Sequence, residues 1–205
     1  MFRNLFNPDS HLMVTMTQIT DCIFLSLFWL LCSMPVITVG ASTAALYDAV
    51  YYGYRKGDKH PWTRFFRTLK QNLKGSILPS LVYLAVFASD GWCLIQLWNA
   101  MATGRMSEGL FAGLALLVML VLGVISVIFP VLSRFENTAA QLLKNTLFLA
   151  MANLPRTLAV GMLNGLSIWL CARFVVPLFF LPALVALIST LMLEPMFKPY
   201  MPEEV

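Results

Sequence analysis

The sequence predicts an all-α fold, a polytopic transmembrane bundle of about five spans that forms one membrane domain over residues 1–205. Composition is the first reason. Hydrophobic residues make up 59% of the chain and charged residues 12%, with a mean hydropathy of +0.76, where a soluble domain carries roughly 25% charged residues. So little charge cannot clothe a water-facing surface, so lipid must cover much of it. Charge placement is the second reason. The charges cluster between uncharged runs, most of them near the ~20 residues that a helix needs to cross a bilayer core.

Asp21 and Asp48 bracket the first run, which places a span near 18–38. The run from Lys74 to Glu108, interrupted by Asp90, gives a second near 76–98. Glu108 and Arg134 bracket a third near 109–132, and Arg156 and Arg173 a short fourth near 156–172. Arg173 and Glu194 bracket the fifth, near 174–193, where Pro177 and Pro182 are expected to introduce kinks. The apolar run from Cys22 to Tyr47 is too long for a signal-peptide core, so an uncleaved first span is expected.

Lys and Arg placement sets an expected orientation. The 39–75 segment carries Arg55, Lys56, Lys59, Arg64, Arg67, Lys70 and Lys74, and the 133–156 segment carries Arg134, Lys144 and Arg156. The opposite side of a five-span chain holds Arg3, Arg105 and Arg173. The positive-inside rule puts the first two groups in the cytoplasm, with the N-terminus outside and the C-terminus inside a plasma membrane. The net charge of +4 therefore reads as a membrane-orientation signal, and no nucleic-acid partner is expected. Within the first basic segment, Trp62, Phe65, Phe66, Leu69 and Leu73 recur at helical spacing after Pro61, while the charges lie mostly elsewhere. That pattern is a basic amphipathic helix, either an anchor on anionic lipid or a docking helix for a cytosolic partner.

A parallel internal repeat is visible. Pro35-Val36-Ile37-Thr38 and Ser42-Thr43-Ala44-Ala45 are matched, at one constant offset, by Pro130-Val131-Leu132-Ser133 and Asn137-Thr138-Ala139-Ala140. The first unit runs over about 18–98, the second over about 109–172, and the final span, about 174–193, stands alone.

Nothing in the sequence carries an enzyme's chemistry. There is no GxSxG, HExxH or P-loop, and no GxGxxG in the required setting. Cys22, Cys32, Cys93 and Cys171 lie in or beside apolar segments without CxxC spacing, and His11 and His60 stand alone, so neither a disulfide framework nor a metal or other cofactor is expected. The ionisable residues at membrane depth are the candidates for function. Asp90 lies inside span two, toward its outer half, while Asp21 and Arg173 lie at the outer ends of spans one and five. These three form a candidate outer polar cluster. Asn164 is expected to bond another helix, and Glu194 to sit at the inner interface.

The stretch Phe6-Asn7-Pro8-Asp9-Ser10, the run from Phe28-Trp29-Leu30-Leu31 through Pro35-Val36-Ile37-Thr38-Val39-Gly40-Ala41-Ser42-Thr43-Ala44-Ala45-Leu46-Tyr47, and the later Phe129-Pro130-Val131-Leu132-Ser133-Arg134-Phe135 and Leu143-Lys144-Asn145-Thr146-Leu147 resemble the YesL-like family of bacterial integral membrane proteins. The resemblance covers nearly the whole chain. It implies a non-enzymatic accessory component linked to a carbohydrate ABC importer, because such proteins are commonly encoded beside those importers and glycan-degrading enzymes. It carries over no catalytic residue. A small transporter or channel in its own right is the other expectation. A shorter likeness concerns the cytoplasmic EAA loop with which importer permeases dock their ATPase. Thr138-Ala139-Ala140 followed by Leu154-Pro155 is similar to it, as is Thr43-Ala44-Ala45 in the first copy, although Thr replaces the leading Glu and the loop's Gly is missing. With Arg64, Arg67 and Lys70 of the amphipathic helix, these residues form a candidate cytoplasmic docking set for permease or ATPase subunits.

Overall fold

The computed structural model describes residues 11–58, 60–135 and 139–200. Among these, every regular element is helical, as the composition requires. Helix α1 (His11–Ser33) ends at a break in which Pro35 is extended (φ −72°, ψ 110°). Proline lacks an N–H and disfavours helix at the residue before it, so the first span stops at Ser33 instead of reaching 38. One 3-10 turn leads into α2 (Val39–Val50), which a π turn (Tyr51–Arg55) extends. Then come α3 (Pro61–Asn72), α4 (Ile77–Ala102), α5 (Glu108–Ser126), α6 (Ile128–Arg134), α7 (Ala139–Ala152), α8 (Leu154–Arg173) and α9 (Leu181–Phe197).

Among the described residues, four stretches are long and apolar enough to cross a membrane: Met16–Ser33, Ile77–Ala102, Glu108–Arg134 and Leu181–Tyr200. A fifth is reached when Gln141–Ala152 and Leu154–Arg173 are taken together across a bend of 105°. Pro177 and Pro182 do not kink a span as expected. Each occupies the first turn of a new helix, where its missing N–H has no intrahelical acceptor to lose. The last span therefore starts at Leu181, and the proline inside it is Pro195.

The two matching repeat segments fold differently. Pro35 stands in the break before α2, which carries Thr43-Ala44-Ala45 in its middle. Pro130 stands inside α6, Ala139 and Ala140 open α7, and Thr138 lies outside the described residues.

Helix α2 is the hub, with ten of its twelve residues buried. Small side chains let its neighbours approach closely. A Cβ on Gly40 would lie 2.2 Å from Ser80 Oγ and 2.6 Å from the Phe129 ring. The freed space lets the Gly40 N–H donate to Ser80 Oγ at 3.1 Å. α2 runs back along α1: Trp29 Nε1 donates to Thr43 Oγ1 at 3.1 Å, and the Tyr54 hydroxyl donates to the Gln18 carbonyl. α3 then reverses again and lies parallel to α1, with the Trp62 ring tilted against Phe24 (5.4 Å between ring centroids) and Phe66 tilted against Phe28 (5.2 Å).

The closest backbone approach is between α5 and α8. A Cβ on Gly123 would lie 2.2 Å from the Thr157 carbonyl oxygen, and one on Gly161 2.0 Å from that of Met119. Such small-residue seams substitute for the hydrophobic drive that lipid removes. α9 is pinned at its start because the Ala183 N–H, which has no acceptor in its own helix, donates to Ser26 Oγ of α1 at 3.1 Å.

Candidate functional site

Two features meet beside α2: a network of buried charges and a cavity. In the network, Asp48 comes from α2, Arg64 and Thr68 from α3, Arg134 from the last turn of α6, and Glu194 from α9. Arg64 Nε lies 2.8 Å from Asp48 Oδ2, which also accepts from Thr68 Oγ1 at 2.8 Å. Arg134 reaches both carboxylates: Nη1 lies 3.4 Å from Asp48 Oδ1, while Nε (2.9 Å) and Nη2 (2.7 Å) share Glu194 Oε1. Tyr47 donates its hydroxyl to the same oxygen at 3.2 Å. The π turn sets the tyrosines that follow against the guanidiniums. Arg64 Cζ lies 3.2 Å from the centre of the Tyr52 ring, and Arg134 Cζ 3.8 Å from that of Tyr51.

Its buried part sets Arg64 and Arg134 against Asp48 and Glu194, and the partly exposed Asp58 approaches Arg64 Nη1 at 4.0 Å from the edge. The Arg134, Asp48 and Glu194 side chains are each under a tenth exposed, and pairing with this many hydrogen bonds is what lets charges stay buried. Burial first, then the neighbouring Glu194 carboxylate, holds the Tyr47 phenol well above its usual range, so it stays a protonated donor. The network locks α2, α3, α6 and α9 to one another. No group of three or more metal-ligating side chains occurs among the described residues.

The ring of Tyr47 also forms part of the wall of a cavity of about 280 Å³ between α2, α5, α8 and α9. Its polar wall residues are mostly engaged within their own helices. Thr43 Oγ1 donates to the Val39 carbonyl, Ser126 to Leu122, Ser167 to Asn164, and Asn164 Nδ2 to Val160. Each of these hydroxyls keeps its oxygen as an acceptor, and the rest of the wall is largely aliphatic and aromatic.

The candidate outer cluster is not brought together. Asp21 accepts a hydrogen bond from Trp62 Nε1 at 2.8 Å, which puts it beside the start of α3. The expected separation of Asp21 from the basic helix across the membrane does not hold, because α2 and α3 fold back along α1. Asp90 Oδ2 is buried without a hydrogen-bond partner, and Arg173 is exposed at the end of α8. No ion pair joins the three among the described residues.

The docking set divides. Ala44 and Ala45 are fully buried, and Thr43 is bonded to Trp29, so a partner does not reach the first copy of the motif. Arg64 is committed to Asp48. Arg67 and Lys70 are exposed on α3, and Leu154 and Pro155 are exposed at the elbow between α7 and α8. Beside them α7 exposes Leu143, Leu147, Phe148 and Met151.

The charge network itself escaped the reading of the sequence. Asp48 served there as the boundary of a run, Arg134 as an orientation charge and Glu194 as an interfacial residue. The available signal was that each stands at or near the end of an apolar helix.

Residues 22–89, about a third of the chain, match a family described as "Protein of unknown function, DUF624". They cover the second half of α1, all of α2 and α3, and the first half of α4. No curated protein and no solved structure matches the chain.

Proposed function

We propose that this protein is a non-enzymatic accessory subunit of the bacterial plasma membrane that attaches to a carbohydrate ABC importer. The match over residues 22–89 supports the YesL-like resemblance on which that reading rests. The observation that carries the reading in the geometry is the elbow at Leu154-Pro155. There α7 turns by 105° away from α8 and leaves Leu143, Leu147, Met151 and Leu154 uncovered, with Met151 68% exposed. The elbow carries the Leu154-Pro155 end of the segment that is similar in sequence to the loop through which importer permeases dock their ATPase. Arg67 and Lys70 add exposed positive charge on α3. The largely apolar wall of the cavity favours an accessory over a sugar carrier.

Purification in mild detergent is expected to recover importer subunits with the wild-type chain, and Leu147→Asp with Met151→Asp is expected to lose them while the protein still folds. Recovery of no transporter subunit, together with unchanged sugar uptake in a deletion strain, would overturn the proposal. A small transporter is the second reading. It is favoured by Asp90 alone, an ionisable side chain with an unpartnered oxygen inside span α4.

A further inference from the structure

We propose that the cavity between α2, α5, α8 and α9 is a binding site for one acyl chain of a bilayer phospholipid. Its shape is the first argument. Along α8 its wall runs from Val160 to Cys171, and along α9 from Leu181 to Leu193. At 1.5 Å per residue each wall is about 17 Å long, close to half of a hydrocarbon core of about 30 Å. The cavity therefore extends along the spans for about the depth of one leaflet.

Its chemistry is the second argument. The lining is largely aliphatic and aromatic, and Thr43, Ser126, Ser167 and Asn164 each donate to a carbonyl of their own helix. An alkyl chain packs against such a wall by dispersion and asks for no hydrogen bond.

Access is the third. Leu178 and Leu181 line the cavity beside the α8–α9 connection. The same connection exposes Val175, Val176, Phe179 and Phe180. Apolar side chains exposed at that end suit a site filled from lipid.

Trp29 lines the cavity and reports on its contents. The test uses the full chain with Trp62, Trp92, Trp98 and Trp169 changed to Phe, in nanodiscs of phosphatidylcholine brominated along one acyl chain. Trp29 fluorescence is expected to be quenched, and Ser189→Phe, which fills the cavity from α9, is expected to reduce that quenching by at least about twofold. Val160→Phe fills it from α8 and replaces Ser189→Phe should that variant misfold. Native mass spectrometry of the parent chain is expected to retain one phospholipid per protein, lost in the filled variants. Equal quenching and equal lipid retention in parent and filled chains would overturn the proposal, as would retention of free fatty acid in place of phospholipid.

Discussion

Arg134 donates two hydrogen bonds to a single oxygen of Glu194, from Nε at 2.9 Å and from Nη2 at 2.7 Å. The same guanidinium holds Asp48 on its other side. Removing it leaves two carboxylates short of their cation in a buried setting. Arg134→Met is therefore expected to destabilise the fold by about 3–5 kcal/mol, the usual penalty for breaking a buried pair from one side. Adding Glu194→Gln is expected to recover part of that loss, because one of the stranded charges is gone. An SDS titration in mixed micelles, read by tryptophan fluorescence, checks both. Equal midpoints for Arg134→Met and the parent would show that the network does not lock the helices.

The α5–α8 seam gives a sharper contrast. Gly161→Val puts carbon where the Met119 carbonyl stands, and neither backbone can yield without separating the helices. Loss of the folded, monodisperse protein is expected in size-exclusion chromatography. Gly113→Ala lies on the same helix as Gly123, but a Cβ there meets nothing within 4 Å, and it is expected to leave the elution profile and the SDS midpoint unchanged.

The spans were legible because bilayer thickness and charge exclusion act on sequence directly. Asp90 aside, charges bound each apolar run, and the helices follow within a few residues except where proline intervenes. At Pro35, Pro177 and Pro182 the chain restarts a helix instead of bending one, a choice made by what the next turn packs against. The basic helix was legible too, since Pro61 and the period of Phe65 and Leu69 are local signals. The candidate site was not. Asp48, Arg64, Arg134 and Glu194 are far apart in sequence, and their pairing exists only because α2 folds back into the centre of the bundle. That reversal rests on Gly40 fitting between Ser80 and Phe129, which no periodicity reports.

The same reversal places Asp21 beside Trp62, and this can be tested in cells. Phe24→Cys with Trp62→Cys is expected to cross-link with a short bifunctional maleimide, since the two rings lie 5.4 Å apart. Single cysteines at Asp21 and Arg67 are expected to react with a membrane-impermeant reagent from the same side. Labelling from opposite sides would restore the arrangement in which α1 separates its N-terminal end from the basic helix. Trp62→Phe removes one hydrogen bond at an exposed position and is expected to cost no more than about 1 kcal/mol.

Asp90 separates the two readings of function. Its Oδ2 is buried without a partner in a span whose apolar window is 11% buried within the protein. A charged side chain at that depth costs about 3 kcal/mol, and nothing among the described residues is seen to offset it. For an accessory subunit the residue is a liability, so Asp90→Leu is expected to raise the SDS midpoint and leave importer-dependent sugar uptake unchanged. For a transporter the destabilised carboxyl is the working part, and a stable Asp90→Leu protein then fails in uptake while Asp90→Glu keeps some of it. Measuring stability and uptake on the same three proteins decides between them, because a purely structural role moves only the first quantity and a transport role moves the second in the opposite direction to the first.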